Sequence, residues 1–299
     1  MRAFVPGIYP RSEALVQATR DLDRGRTTPR AVAEQRELDF AAFREAQESA
    51  GFDLLSDGLL EWQDLFRPLV EAADGLDARP LTRFLDTNTF YRAVLVDGEP
   101  RLRAPLPAPP LPAGRWLATF PSPLAFARAA RNAVSAQALA ASVLAPQIEA
   151  YARAGCALVV LSDPFLARDG GIRELGAALA ELPGGVPLAL QLPFGDAATA
   201  LPECAELAVD AVGVDFCATS LEAVPPGFPK EILAGVIDSR SSALEDPAEI
   251  RSFAVELAGR AAGGVSLAPN GDLQFVPEPI ARQKLAVLGL ARAAMEAAA

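Results

Sequence analysis

Histidine is absent from all 299 residues, and lysine occurs only twice, at Lys230 and Lys284. Without an imidazole the chain lacks the commonest general base near neutral pH and the commonest ligand for zinc, copper or iron. A Ser-His or Cys-His nucleophile pair is excluded. The two lysines fall in loop-like or helical settings, so a Schiff-base lysine on a buried strand is not expected. Cysteine is also scarce. Cys156, Cys204 and Cys217 are odd in number and far apart, which fits reduced thiols better than a disulfide framework. No apolar run approaches the ~18 residues of a membrane span, and no secretory pattern follows Met1-Arg2-Ala3, so a cytoplasmic protein without a membrane partner is expected. Positive charge is short as well. The net charge is −11 and the isoelectric point is near 4.7, which argues against nucleic acid or an anionic membrane surface as partner. Any catalysis falls to Asp, Glu, Cys, Tyr, Lys or a bound cofactor.

What is present is a rhythm of apolar run, polar or acidic terminus and amphipathic helix. Ala157 to Leu161 is an unbroken apolar run that stops at Ser162-Asp163-Pro164. An unbroken run is buried on both faces, as in a parallel sheet covered by helices, and Pro164 ends the ladder. Ser12 and Thr28-Pro29 read as helix starts, the second helix ending at Gly51. Eight strand starts, near residues 3, 53, 115, 157, 186, 211, 233 and 264, alternate with helices. This predicts an α/β chain folded as a (β/α)8 TIM barrel, one domain over residues 1–299, with an added β-hairpin inserted at about 81–114. The hairpin is expected to turn at Asp97-Gly98 and to be followed by a proline-rich connection. An open doubly wound sheet is the alternative, but no GxGxxG or GxxxxGK[ST] follows any strand.

Asp57, Asp163, Asp215 and Asp238 each end a strand, so all four are expected around one mouth at the C-terminal end of the barrel. Acids that converge raise one another's pKa values, and a shared proton or a hard cation would relieve them. The plainer reading is that they cap helices or pair with Arg11, Arg92 and Arg240. Cys217, just past a strand end, is either a nucleophile or a structural thiol. Tyr91 and Trp62 either stack a planar ligand or simply pack.

Several segments together resemble the cobalamin-independent methionine synthase family. They are Gly7 to Arg11, Gly51 to Gly58, Phe84 to Tyr91 with Asp86-Thr87-Asn88, Ala154 to Pro164, and Gly235 to Arg240. That family has two similar barrels, of which the second carries zinc. On this sequence the H-x-C pair of zinc ligands falls at Gln191-Leu192-Pro193, the glutamate ligand at Asp215 and the last cysteine near Gly271. The resemblance therefore implies no zinc of its own and no metal ligand. An acid of the family's amino-acid site is replaced by Ser162, and Leu59 stands where a glutamate is expected. Phe194-Gly195-Asp196, Gly213 to Phe216 and Val236 to Arg240 are closer to the zinc-free barrel, which implies a folate as the only cofactor to consider.

The implied function is a methionine-synthase-like barrel that acts on or binds a small anionic or one-carbon-related substrate, with methyl transfer depending on a companion zinc-bearing methyltransferase barrel. Asp163 and Asp238 are the expected catalytic acids, and Arg11, Asp57, Tyr91, Gln191, Asp215 and Arg240 the expected substrate contacts. Two other readings stay open. One is a non-catalytic binding or partner subunit. The other is a lyase or decarboxylase of the related uroporphyrinogen-decarboxylase-like barrels.

Overall fold

The computed structural model describes residues 1–62, 64–85, 87 and 89–296. The chain opens with β1 (Arg2–Ala3), α1 (Glu13–Asp23) and α2 (Pro29–Ser49). Both helices start where their caps predict. Ser12 accepts from the Leu15 amide and Thr28 from the Ala31 amide, with Pro29 in the first turn of α2. Next come α3 (Arg67–Ala72) and the strands β2 (Ala73–Arg83) and β3 (Phe90–Leu102). After the connection 103–115, the chain continues through β4 (Trp116–Pro121), α4 (Pro123–Ala129), α5 (Ala136–Leu139) and α6 (Ala145–Arg153). A π-helical turn, Ala140–Leu144, joins α5 to α6. The rest alternates: β5 (Cys156–Ser162), α7 (Leu166–Asp169), α8 (Ile172–Leu179), β6 (Leu188–Leu192), α9 (Leu201–Cys204), β7 (Ala211–Asp215), β8 (Glu231–Ile237), α10 (Pro247–Ala258), β9 (Val265–Pro269) and α11 (Glu278–Glu296).

The main sheet has seven parallel strands in the order β1-β9-β8-β7-β6-β5-β4. Its two edges are linked by the segment expected to be the second strand, which is reduced to a single bridge at Leu55. Asp53 N–H donates to Ala3 O (3.1 Å), Leu55 N–H to Arg115 O (3.0 Å), and Leu117 N–H to Leu55 O (2.9 Å). Seven strands and a bridge thus stand where eight strands were expected. The ladder stops early because the buried Gln47 amide takes both backbone groups of Ser56, at 2.9 and 3.0 Å.

Side chains on the concave face, Phe4, Leu54, Leu117, Leu158, Val160, Ala189, Ala211 and Leu233, form one buried cluster. The alternate residues, among them Val159, Leu161, Leu190, Leu192, Val212 and Val214, pack outward with the helical layer. Each fully buried Leu or Val contributes roughly 1.5–3 kcal/mol, which is why these strands read as continuous apolar runs. No helix among the described residues is long and apolar enough to cross a membrane.

β2 and β3 form a separate antiparallel pair. Its strands meet at the Arg83–Phe90 pair, while Asp97-Gly98 sits inside β3, so the expected hairpin is present but does not turn at Asp97-Gly98, and its first strand is one that the sequence did not suggest. The helix expected from Glu61 starts only at Arg67. Pro68 takes a first-turn position, and the Asp64 carboxylate accepts the Phe66 amide (2.8 Å) and the Arg67 amide (3.3 Å). Asp86 and Asn88 of the Asp-Thr-Asn stretch lie outside the described residues.

Candidate functional site at the strand ends

The C-terminal ends of β5, β6 and β7 are adjacent, with Ser162 paired to Gln191 and Gln191 to Gly213. By strand alternation Ser162 continues the inward series Leu158 and Val160, Gln191 follows Ala189, and Asp215 follows Ala211. Two side-chain bonds confirm this direction. Gln191 Nε2 donates to Pro269 O (3.1 Å), although β6 and β9 are separated by two strands, and Asn270 Nδ2 donates to Asp215 Oδ1 (2.9 Å) across β8. Both bonds therefore run over the concave side.

All three residues are buried. Cys217 N–H also donates to Asp215 Oδ1 (3.0 Å), and Asn270 Oδ1 accepts the Ser239 amide (2.9 Å). Burial pushes the Asp215 carboxyl up from its ordinary value. The Asn270 and Cys217 hydrogen bonds and the Arg240 charge oppose this, and the Asp238 charge adds to it. Ser162 Oγ, Gln191 Oε1 and Asp215 Oδ2 have no hydrogen-bond partner among the described residues. Three acceptor atoms thus stand at one rim.

Asp238 and Arg240 lie on the loop after β8. Asp238 Oδ1 accepts the Arg240 amide (2.9 Å), and the Asp238 amide donates to Glu245 Oε1 (2.8 Å). Glu245 in turn receives Lys284 Nζ (2.7 Å), which also donates to Ala243 O (2.6 Å). The Lys284 side chain is fully buried, so α11 holds this loop through one of the two lysines. The exposed Arg240 guanidinium lies 5.1 Å from the Phe194 ring centroid and has no carboxylate partner among the described residues.

The four aspartates occupy one end of the sheet without sharing one space. Asp163 follows the outward residue Leu161. Its Oδ2 accepts the Ser122 hydroxyl, and its Oδ1 accepts the Phe165 (3.0 Å) and Leu166 (2.8 Å) amides. Ser122 Oγ also caps α4, accepting Ala125 N–H at 2.9 Å. Burial raises the Asp163 carboxyl and these bonds oppose the rise. The Arg128 charge also opposes the rise, but no arginine among the described residues bonds to Asp163, so the plainer reading of this acid narrows to capping. Asp57 also faces outward, two residues past Leu55, and accepts the Leu59 amide at 3.1 Å. Its carboxyl is raised by burial and by the Glu61 charge, with no contribution from the other three aspartates. The rim acids in electrostatic contact are Asp215 and Asp238.

Arg11 lies apart from the rim, between Thr19 (3.1 Å) and the charges of Asp39 and Arg67. Burial lowers it to about 10, and its Nε has no partner among the described residues. Tyr91 packs against Phe66 and Phe84. Phe84, at the hairpin turn, meets Phe194 edge-on (5.9 Å), and Phe194 meets Phe275 (5.4 Å). The hairpin thereby lays an aromatic cover beside the rim. Under it a cavity of about 20 Å³, room for one water, is lined by Asp64, Tyr91, Asp272 and Gln274.

Sequence reasoning missed Asp272, whose carboxyl burial raises to about 6. It accepts the Ile8 amide at 3.0 Å, and only glycine fits beside it at Gly7, where φ is +81° and a Cβ would come within 2.0 Å of Asp272 Oδ1. It also missed Asn270, Glu245 and Lys284. A lysine amid apolar neighbours in α11 was the one available signal, since a fully buried lysine needs a partner.

Zinc would need several nitrogen or sulfur ligands in a tetrahedral array. The matching positions carry Gln191, Pro193, Asp215 and Gly271, and the described residues contain no group of three or more Cys, Asp or Glu arranged to hold a metal. The Cys217 amide donates to Asp215, which places this cysteine beside the rim. Partial burial and then the charges of Asp215, Asp238 and Glu245 push its thiol up to about 12, away from the thiolate a metal requires. These residues do not fit a zinc site.

No family model matches the chain, and no curated protein matches it. Solved structures do. A B12-independent methionine synthase from Shewanella sp. W3-18-1, in complex with selenomethionine, superposes with a TM-score of 0.73 at 15% identity, over 99% of this chain and 98% of that one. A putative vitamin-B12 independent methionine synthase from Listeria monocytogenes gives 0.69 at 18% identity, over 98% of each chain. Over nearly its whole length, the chain has the fold of cobalamin-independent methionine synthase structures.

Proposed function

We propose that the chain is a methionine-synthase-like barrel that binds a small substrate bearing an anionic group at the strand-end rim. Any methyl transfer it takes part in would draw its thiol-activating metal from a companion zinc-bearing barrel. One observation carries this reading: three unpartnered acceptors, on Ser162, Gln191 and Asp215, stand on adjacent strand ends, with the Arg240 guanidinium, bonded to no carboxylate among the described residues, on the neighbouring loop. The acceptors suit an ammonium or amide donor, and the planar guanidinium fork suits a carboxylate. An amino acid offers both, and the Shewanella relative was solved with selenomethionine.

In this reading Asp215 is the group able to take or give a proton, because burial brings its carboxyl closer to neutral pH. Asn270 orients it, and Asp238 holds the Arg240 amide. Asp163 and Asp57 take no direct part. A second reading, a binding subunit without catalysis, is favoured by the aromatic cover and by the protonated Cys217 thiol. Thermal-shift screening of amino acids and folates against wild type, Asp215→Asn and Arg240→Gln tests the proposal. An α-amino acid should stabilise wild type by several degrees and neither variant. A ligand that stabilises all three proteins equally would remove the rim from consideration. Mixing with a zinc-bearing barrel and assaying methyl transfer then separates the catalytic from the non-catalytic reading.

A further inference from the structure

A second cavity, of about 280 Å³, lies outside the sheet, between α2, the loop after the Leu55 bridge and the outer face of β4. Its walls are aromatic: Phe40, Trp62, Trp116, Phe120 and Tyr151. Its roof is the proline-rich stretch 106–110, held by Tyr151 Oη donating to Pro107 O (3.1 Å) and by Gln147 Oε1 accepting the Leu106 amide (2.7 Å). The roof is fixed at its Leu106-Pro107 end, and the cavity size is near the lower bound of small-ligand sites.

The polar groups on the lining have a sign. Glu37, Asp57 and Glu61 line it with one cation, Arg36, which is already paired with Glu61 at 2.8 Å; Arg67, paired with Glu71, lies 5.9 Å from the Trp62 ring centroid. Asp57 accepts the Leu59 amide at Oδ1, its own backbone amide also favours the carboxylate, and no side chain among the described residues bonds to it. Aromatic faces attract cations, and a carboxylate among them completes a cage for an ammonium.

We infer that this cavity is a binding site for a small organic amine in its cationic form, an arylalkyl or alkyl ammonium, seated against the aromatic walls with its nitrogen on the Asp57 carboxylate. The site is separate from the strand-end rim and does not depend on the function proposed for it. A bound cation would also relieve the burial cost that now raises the Asp57 carboxyl.

Both tryptophans of the chain line this cavity, so its occupancy can be read by intrinsic fluorescence. Three probes of one shape, 2-phenylethylammonium, 2-phenylethanol and 3-phenylpropionate, would be titrated against wild type, Asp57→Asn and Trp62→Phe. The amine is expected to give a saturable change with a Kd at least tenfold below that of the alcohol, and the acid no change. Asp57→Asn should weaken the amine at least tenfold and the alcohol by less than threefold. Trp62→Phe should keep a response from Trp116, which is 1% exposed. An alcohol as tight as the amine, or an amine indifferent to Asp57→Asn, overturns the inference. So does a response that vanishes with Trp62, which would place the probe on the outer ring alone. If Asp57→Asn does not fold by circular dichroism, the amine-to-alcohol ratio and the Trp116 response in Trp62→Phe decide.

Discussion

Replacing Lys284 with methionine should loosen the loop that carries Asp238 and Arg240. The Lys284 side chain is fully buried in α11, and its Nζ reaches Glu245 Oε1 at 2.7 Å and Ala243 O at 2.6 Å. Removing one partner of a buried pair costs about 3–5 kcal/mol. Here the loss is smaller. The Glu245 side chain is 20% exposed, its Oε1 keeps the Asp238 amide, and methionine refills most of the lysine stem. A cost of about 2–3 kcal/mol follows. At an unfolding entropy of ~0.6 kcal/mol/K for a chain of this size, Tm falls by ~4 °C. Urea titration of wild type, Lys284→Met, Glu245→Gln and the double variant would isolate the pair, with a coupling energy of at least ~1 kcal/mol expected. Proteolytic cleavage within residues 238–246 should accelerate in Lys284→Met. Additive single-variant effects, or a Tm raised by Lys284→Met, would refute the view that this lysine holds the rim loop.

Asp163→Ala should cost about 2 kcal/mol, because the Phe165 and Leu166 amides lose their acceptor, whereas Asp163→Asn should stay within ~1 kcal/mol; equal losses in chemical denaturation would contradict a capping role. The Asp272 carboxyl should titrate near 6 by carbon-detected NMR. Because its folded value lies above the unfolded one, its stabilisation is present below about pH 4 and lost as pH rises through 6, so wild type should lose stability over that window and Asp272→Asn should not; parallel profiles would count against it. Cys217, an exposed residue whose thiol is partly buried, should react with iodoacetamide at pH 8 on the order of 100-fold more slowly than glutathione, because its thiol is held at about 12; a comparable rate would show that neither burial nor the neighbouring carboxylates hold the thiol up. Arg292→Met should destabilise the chain near neutral pH. Burial pushes Asp53 up, but the Arg292 bonds at 2.8 and 2.9 Å and the Ala3 amide hold it below its usual range, so the lost stability should vanish as pH falls through Asp53's own low titration; a loss that persists unchanged at low pH would assign it to packing.

Local chemistry announced much of the fold. Ser12, Thr28-Pro29, Ser122-Pro123 and Asp246-Pro247 start helices as caps because a side-chain oxygen within three residues is enough to do so. The apolar runs from Leu158 to Leu161 and from Leu188 to Leu190 form strands because burial on both faces leaves no polar position to alternate. The absence of histidine narrowed the chemistry without any structure. What sequence could not supply was direction and competition. Whether an aspartate at or just past a strand end points to the concave face of the sheet or to its outer side depends on one residue of register, and this separates Asp215 at the rim from Asp163 under α4 and Asp57 in the outer cavity. The second strand shrank to Leu55 because Gln47, nine residues before Ser56, takes the backbone groups a ladder would use. Lys284 reaches the rim from a helix 39 residues beyond its partner, a contact that exists only once α11 is packed. Periodicity and capping act within a few residues and are written in the chain, whereas the partners of buried polar groups are chosen by tertiary packing.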